Sequence, residues 1–409
     1  MSLAELREDY RRRLFDEYLP FWENGAFDKQ YGGVICELND DGTVADDIKN
    51  TWYQGRGMWT YSFLYNNLDK NQKWIDRAAT IHKFAVDKVY AGDGKWLVKT
   101  KRDGTVIDGV QSSIYESLFL AEGLSQYYRA TGDKKDLELA KESVRSAARS
   151  YESPKYENTA SNHTKIQPPM TGLRSLGHSM IFIRVLQQWP EDGMDNELKA
   201  LHEEHLDALV NRFWDPRYGI NNEFLKHDYS RFEEQDGCMY SGHSIESLWM
   251  VMLEAVQRKD RKLFDTAKER LRRFIEMSWD YVYGGCASAD YLVNARPPLG
   301  RGPLFEEKTM WAQLEVMVGC MKAFEYTGEV WAKDWYERER EFTLRTMPTA
   351  AKGMWRQAVD RVGNNLVRTN VGISANRRDN FHPPRYFMLN LMALDRMIAN
   401  KGRKTPFPA

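Results

Sequence analysis

Cysteine, net charge and long apolar runs are all scarce in this 409-residue chain. Its four cysteines stand far apart with no CxxC pair, which argues against a disulfide framework and a zinc ribbon. The 58 basic and 59 acidic residues give a formal net charge of −1, and no basic run is interleaved with aromatics, so nucleic acid is not an expected partner. No apolar run approaches the roughly 20 residues that span a bilayer, and the charged N-terminus does not resemble a signal peptide. We expect a cytoplasmic protein with reduced thiols and no membrane segment.

Several motifs that hold phosphate or metal, or that activate a serine, are also missing. The chain has no GxxxxGK[ST] loop and no GxSxG turn, which leaves phosphoryl transfer and serine hydrolase chemistry without a recognisable site. The stretch HSIE at residues 243–246 is not the HExxH of a zinc protease, and it has no second histidine one turn away. We therefore expect no metal site.

Aromatic residues, in contrast, are abundant, at 13 Trp, 21 Tyr and 18 Phe. Such side chains fill cores, and their faces also stack on the C–H face of a sugar. Composition alone does not separate these two uses.

A sequence pattern repeats along the chain: a turn that contains a glycine is followed by a short alternating segment, which predicts a short β-hairpin. The repeat glycines are Gly33, Gly94, Gly219, Gly285 and Gly353. Their spacings are 61, 125, 66 and 68 residues, so the long step indicates one degenerate copy near residue 155, in ESPKYENTAS. Helical patterns, with apolar residues at three- and four-residue intervals, fill the spaces between the turns and allow two helices per unit.

About six helix pairs can stack as an open solenoid or close into a ring. We favour closure, because many predicted helix starts carry polar or aromatic groups that an open solenoid has little reason to bury. The predicted fold is all-α, an (α/α)6 barrel with short β-hairpins at its rim. No linker rich in proline or glycine divides the chain, so residues 1–409 are expected to form one domain.

Three stretches place an ionisable residue beside aromatics at a predicted helix start. Arg56 precedes an aromatic helix, where it can be paired with a local acid or can serve as an oxyanion clamp. His243 follows Ser241, a good N-cap, so the helix dipole should keep its imidazole neutral, and Glu246 one turn on could orient it or bind a hydroxyl group. His382 precedes two prolines that suit a first helical turn. A structural role is the alternative for each histidine.

Four segments, KNTWYQGRGMWTYSFLYN, YSGHSIESLWM, EKTMWAQLEVMVG and NFHPPRYF, together resemble the N-acylglucosamine 2-epimerase family, and the likeness runs nearly end to end. The resemblance implies an (α/α)6 barrel that epimerises or isomerises sugars at C2 and requires no redox cofactor or metal. By resemblance, His243 and His382 exchange the C2 proton on opposite faces of an enediolate that Arg56 stabilises, and Glu246 is also catalytic. The partner is then a monosaccharide or disaccharide, a homodimer is conceivable, and an allosteric nucleotide stays an open question.

The resemblance also extends to residues that would contact the sugar. They are Trp59, Tyr115, Glu116, Trp311, Gln313 and Glu315. His178 joins them, because it stands where N-acylglucosamine epimerases typically carry an apolar residue or proline and where cellobiose epimerases and mannose-type isomerases have a histidine nearby. It can equally be a helix-capping or core residue.

Four functions remain open from the sequence. The favoured one is a sugar 2-epimerase acting on N-acetylglucosamine/N-acetylmannosamine or mannose/glucose. An aldose–ketose isomerase or a cellobiose 2-epimerase would use the same scaffold. A glycoside hydrolase would need two carboxylates across a glycosidic bond, for example Glu246 with Glu315 or Glu116. A non-catalytic helical scaffold is the fourth.

Overall fold

The computed structural model describes residues 1–107, 113–157, 171–189, 193–233, 236–288, 290–291, 307–349, 351–366 and 376–408. Part of the predicted degenerate copy, residues 158–161, lies outside the described residues.

Six helices are buried along most of their length and form an inner layer. They are α3 (Thr51–Asn67), α5 (Ile114–Thr131), α7 (Leu176–Leu186), α9 (Ser241–Arg258), α11 (Met310–Thr327) and α13 (His382–Ala399). Apolar residues surround these helices on nearly all sides, as expected for helices that pack against neighbours all round.

The remaining helices are amphipathic and form an outer layer. They are α1 (Leu3–Arg12), α2 (Leu19–Gly25), α4 (Gln72–Phe84), α6 (Lys134–Tyr151), α8 (Asn196–Asp207), α10 (Arg261–Ser278) and α12 (Val330–Thr346). A π-helical turn, Arg13–Tyr18, joins α1 to α2, and similar turns extend α4 (Ala85–Val89) and α8 (Ala208–Arg212). In α10, Phe264, Leu271 and Phe274 lie on the buried stripe while charged residues face solvent.

The inner helices contact one another in chain order, and α13 contacts α3, so the ring closes. The Asn380 side chain, just before α13, donates to the Tyr53 carbonyl oxygen (2.9 Å) and the Thr60 hydroxyl donates to the Asn380 carbonyl (2.9 Å). On the outside, the Tyr10 hydroxyl of α1 donates to the Tyr386 hydroxyl of α13 (2.7 Å). The predicted (α/α)6 barrel is confirmed.

Short antiparallel strand pairs lie at one end of the ring, as predicted. Three pairs are local: β1 (Glu37–Leu38) with β2 (Val44–Asp46), β4 (Tyr90–Gly92) with β5 (Lys95–Trp96), and β8 (Trp214–Asp215) with β9 (Ile220–Asn221). Four pairs join residues further apart: β3 (Lys49–Asn50) with β6 (Lys99–Thr100), β7 (Arg174–Ser175) with β10 (Phe224–Leu225), β11 (Cys238–Met239) with β12 (Asp290–Tyr291), and β13 (Glu307–Thr309) with β14 (Ala358–Asp360). Several of these strands lead directly into inner helices and fix where those helices begin.

The sequence repeat corresponds to the turns that follow the outer helices. All five repeat glycines have positive φ, between 68° and 84°. At Gly353 a Cβ would lie 2.1 Å from the Glu17 carbonyl oxygen, so glycine allows this turn to pack against the π-helical turn that precedes α2. In the described part of the degenerate copy, Glu157 forms an isolated antiparallel bridge with Thr171.

A buried ion pair repeats with the turns. Lys49 Nζ lies 2.9 Å from an Asp28 carboxylate oxygen, and Lys308 Nζ lies 3.1 Å from the carboxylate of Asp280. In both units an arginine from the next unit donates to the same carboxylate at 2.9 Å, and the lysine also donates to that arginine's carbonyl at 2.7 Å. The two clusters brace equivalent turns.

All four cysteines are buried thiols, as predicted. Among the described helices, none is both long enough and apolar enough to cross a membrane.

Candidate active site

The predicted site residues gather at the amino ends of the inner helices. His382 opens α13, Trp311 and Tyr115 are the second residues of α11 and α5, and His243 and His178 are the third residues of α9 and α7. Because successive inner helices run in the same direction around the ring, these distant positions converge at one end of the barrel.

His243 is oriented by a carboxylate that sequence reasoning missed. Its Nδ1 lies 2.9 Å from Glu223 Oε1, and its ring is partly exposed while Glu223 is buried. Burial alone would lower the pKa of His243, but the Glu223 charge and hydrogen bond outweigh burial and raise it. This shift of the His243 pKa is opposite in direction to the one predicted from the helix dipole, and the carboxylate that contacts Nδ1 is Glu223 and not Glu246. The N-cap is Tyr240, one residue before Ser241.

His382 has a similar partner but the opposite electrostatic environment. Its Nδ1 lies 2.9 Å from Glu315 Oε1 and 3.2 Å from Arg385 Nη2. Burial, opposed by Asp379 and reinforced by Arg385 and Arg56, lowers the pKa of His382 to about 3. Nδ1–H donates to Glu315 in the neutral tautomer that this contact favours, which leaves the Nε2 lone pair as the basic position. Asp379 caps α13 by accepting from the His382 backbone N–H (2.9 Å).

Arg56 is held by aromatic faces and not by an acid. Its guanidinium carbon lies 4.3 Å from the ring centre of Phe119 and 5.0 Å from that of Phe381. Within the described residues its Nε is buried without a hydrogen-bond partner, and no carboxylate forms an ion pair with it. The prediction of a local acid partner is not met, and the guanidinium is available for a developing negative charge.

Glu246 belongs to a buried charge network below the histidines. Arg385 Nη2 donates at 2.6 Å to Glu246 Oε1 and at 2.6 Å to Glu315 Oε1. Arg184 Nη1 approaches Glu246 Oε1 (3.3 Å) and its Nη2 donates to Glu122 (2.8 Å). Arg385 of α13 therefore connects to α9 and α11, so it ties three inner helices together.

Trp311 connects the two histidines. Its ring centre lies 5.5 Å from the His243 ring and 5.5 Å from the His382 ring, so the imidazoles are no further apart than twice this distance. A Cβ on Gly242 would lie 2.3 Å from Trp311 Cη2, so the glycine of this motif makes room for the indole. A sugar ring could stack on such an indole face.

Tyr115 and His178 also lie near His243. A Cβ on Gly177 would lie 2.6 Å from the Tyr115 hydroxyl oxygen and 2.8 Å from His243 Cε1, so the Tyr115 hydroxyl and the His243 ring both lie close to Gly177. The His178 ring packs on Tyr115, with ring centres 4.7 Å apart. His178 is inaccessible to solvent and both its nitrogens lack a partner among the described residues. Burial, with a smaller effect of His243, lowers its pKa to about 3, so it is neutral.

The other predicted sugar contacts have protein partners. Trp59 donates its indole N–H to Gln188 (2.8 Å), and Glu116 accepts from the Trp52 indole and the Ser113 hydroxyl. Glu315 is inaccessible and accepts from Trp249 (2.8 Å) as well as from His382 and Arg385. Their polar atoms are thus committed within the protein.

Gln313 has a structural pairing that leaves no amide atom free for a sugar. Its Oε1 accepts from the Cys286 backbone N–H (2.7 Å) and its Nε2 donates to the Cys286 carbonyl oxygen (2.8 Å). Gln54 forms the same pair with Val34 in the first unit, at 2.9 and 2.8 Å. Gln313 therefore occupies a position that recurs in the structural repeat.

The donor atoms of Glu246, Glu315 and His382 all lie within 4.8 Å of one another, close enough to approach a common cation. Arg385 Nη2 already lies where the two carboxylates converge. The guanidinium supplies the positive charge that this donor set favours.

Two imidazoles, one with a raised and one with a lowered pKa, lie near an indole face and a guanidinium that has no ion-pair partner among the described residues. Such groups suit an enzyme that moves a proton next to a carbonyl. The class defined by this fold and site is that of the carbohydrate epimerases, which are isomerases. The sequence model of the N-acylglucosamine 2-epimerase (GlcNAc 2-epimerase) family matches residues 32–377, and the chain belongs to this family.

Three known proteins illustrate the similarity. N-acylglucosamine 2-epimerase of Bos taurus is 24% identical over 365 residues, which cover 87% of this chain and 84% of that protein. The structure of cellobiose 2-epimerase from Bacillus thermoamylovorans B4167 superposes with a TM-score of 0.76 at 19% identity, over 95% of this chain and 99% of the other. The structure of a D-mannose isomerase gives 0.73 at 14% identity, over 97% and 98%. At these identities the two structures support the fold alone.

Proposed function

We propose that the protein inverts C2 of an open-chain aldose by removing the C2 proton and returning a proton to the opposite face. The observation that carries the proposal is the pair of imidazoles that each lie 5.5 Å from the Trp311 ring, one with a raised pKa and one with a lowered pKa. Two titratable groups whose environments shift their pKa values in opposite directions are suited to act as the acid and the base of one reaction.

In the forward step, neutral His382 takes the C2 proton through Nε2 while Glu315 holds its Nδ1–H. The electrons move towards C1, and Arg56 stabilises the negative oxygen of the enediolate, because its buried Nε has no hydrogen-bond partner among the described residues. Protonated His243, held at Nδ1 by Glu223, then gives its Nε2 proton to the other face of C2. In the reverse reaction the two histidines exchange roles.

The substrates we propose are N-acetylglucosamine/N-acetylmannosamine or mannose/glucose. The sequence relative from Bos taurus supports the first pair, because it matches over most of both chains. A cellobiose 2-epimerase activity rests on the same scaffold. A glycoside hydrolase is disfavoured, because Arg385 engages both Glu246 and Glu315, and neither is left free to act across a glycosidic bond.

An aldose–ketose isomerase is the second candidate. Tyr115, His178 and His243 lie close together, and a single base there could pass one proton between C1 and C2. The product separates the two candidates, since this reaction yields a ketose and epimerisation does not.

The experiment is incubation with N-acetylmannosamine, mannose, glucose, fructose and cellobiose in D2O, followed by NMR. We expect a C2 epimer that carries deuterium at C2. Asparagine variants of His243 and His382 should each lose about 100-fold or more in turnover. Near-normal turnover by both variants would contradict the assignment.

Independence from metals and cofactors, a cytoplasmic location and a homodimer are further parts of the proposal. Activity should survive dialysis against a chelator, and sedimentation should report the oligomeric state. Addition of ATP in the same assay tests for an allosteric nucleotide.

A further inference from the structure

The two histidines of the pocket share one geometry. Each imidazole presents Nδ1 to a carboxylate oxygen at 2.9 Å, from Glu223 to His243 and from Glu315 to His382. Hydrogen-bond geometry alone would give the two rings the same protonation.

The carboxylates differ in what else they contact. Glu315 accepts from Arg385 (2.6 Å) and from the Trp249 indole (2.8 Å), so a guanidinium already balances its charge. Glu223 accepts from the neutral Ser175 hydroxyl (3.2 Å), and among the described residues its Oε2 is buried without a partner. Its charge is therefore directed at the His243 ring alone.

The backbone fixes Glu223 at this point. Its N–H donates to the Cys238 carbonyl oxygen (2.9 Å), and its own carbonyl accepts from the Leu176 N–H (3.0 Å). Residue 223 is thus tied to the strand before α9 and to the start of α7, and its carboxylate has little freedom to turn away.

We propose that Glu223 is a positioning residue that keeps His243 protonated at rest. Glu315 is paired with the Arg385 cation, and within the described residues Glu223 is paired with no lysine or arginine. This difference makes His243 the proton donor and His382 the proton acceptor. This inference rests on the proposed epimerase function.

Other charged and polar groups face His243 from every neighbouring helix. Arg56 of α3 opposes its protonation, and Glu246 of α9 favours it, although Glu246 already binds two guanidiniums. His178 of α7 is neutral, and the remaining neighbours, Tyr115, Tyr240 and Trp311, carry no formal charge. Glu223 is therefore the group that decides the protonation of His243.

The test compares Glu223→Gln with wild type. Glutamine keeps an acceptor for Nδ1–H and removes the charge. Protein labelled with [15N]histidine, assigned with His243→Asn, gives the titration midpoint of His243 without any turnover. We expect the midpoint to fall in Glu223→Gln and kcat at neutral pH to fall about 100-fold, with the acid limb of the pH profile displaced and KM little changed.

Glu254→Gln is the matched control. Glu254 is also buried and lies 3.2 Å from a histidine, His202, but outside the pocket. This variant should leave both the His243 midpoint and the pH profile as in wild type.

An unchanged His243 midpoint in Glu223→Gln would overturn the proposal, as would a lowered midpoint with normal kcat. If wild type epimerises no sugar, the proposed function fails, and the titration still decides whether Glu223 keeps His243 protonated.

Discussion

His178 should make the protein less stable as the solution becomes more acidic. Its ring is inaccessible and unpartnered among the described residues, and burial lowers its pKa to about 3, whereas a histidine in an unfolded chain titrates near ~6.5. Between these values only the unfolded chain takes up the proton, so stability falls with falling pH. From pH 7 to pH 5 the linkage relation gives a loss of about 2 kcal/mol from this residue.

The assay is urea unfolding of wild type and His178→Gln at both pH values. The variant should lose about 2 kcal/mol less than wild type between pH 7 and pH 5, whatever its absolute stability. Ile181→Val, which thins the packing of the same helix without a titratable group, should shift both values equally by about 1 kcal/mol. Equal pH dependence of wild type and His178→Gln would contradict this prediction, because His178 would then be charged or accessible in the folded protein.

Three further substitutions test separate parts of the site. Gly242→Ala should push Trp311 away, because a Cβ would lie 2.3 Å from its ring, and we expect kcat to fall about 100-fold with little change in unfolding free energy. Gln313→Leu should lower the free energy of unfolding in urea by about 1–3 kcal/mol, because the Cys286 backbone N–H and carbonyl lose their hydrogen-bond partner, and KM should stay near wild type. A large change in KM with normal stability would instead show that Gln313 contacts the sugar. Arg56→Lys should lower kcat more than it raises KM, and a purely KM effect would argue against an oxyanion clamp.

Much of the fold could be predicted because it repeats. The spacing of Gly33, Gly94, Gly219, Gly285 and Gly353 gave the number of units, and the helical periodicity between them gave the two layers. A repeated unit buries its apolar face only against its neighbours, so the period carries information about the whole ring.

The histidines were predicted, but their partners were not. Glu246 follows His243 by three residues, yet it points to Arg385 and Arg184 in the barrel centre, while the partner of His243 is Glu223 from the turn before β10. Residue spacing along a helix indicates a shared face, not which neighbour a side chain reaches across the ring.

Residues that contribute to the charge network were missed because their local sequence is apolar. Arg184 lies in LGHSMIFIRVL, and a single arginine in such a helix is ordinarily read as a flank of the core. A charged residue within an apolar helix requires a partner, and that much the sequence could have indicated. The structure shows that the partner is Glu122.

The most direct test of the account is the fate of the C2 proton. The product formed in D2O by wild type should be the C2 epimer with deuterium at C2, and both label and product should disappear in His382→Asn. A C2 epimer formed by wild type without solvent deuterium, together with normal turnover by His382→Asn, would contradict proton transfer through the two histidines.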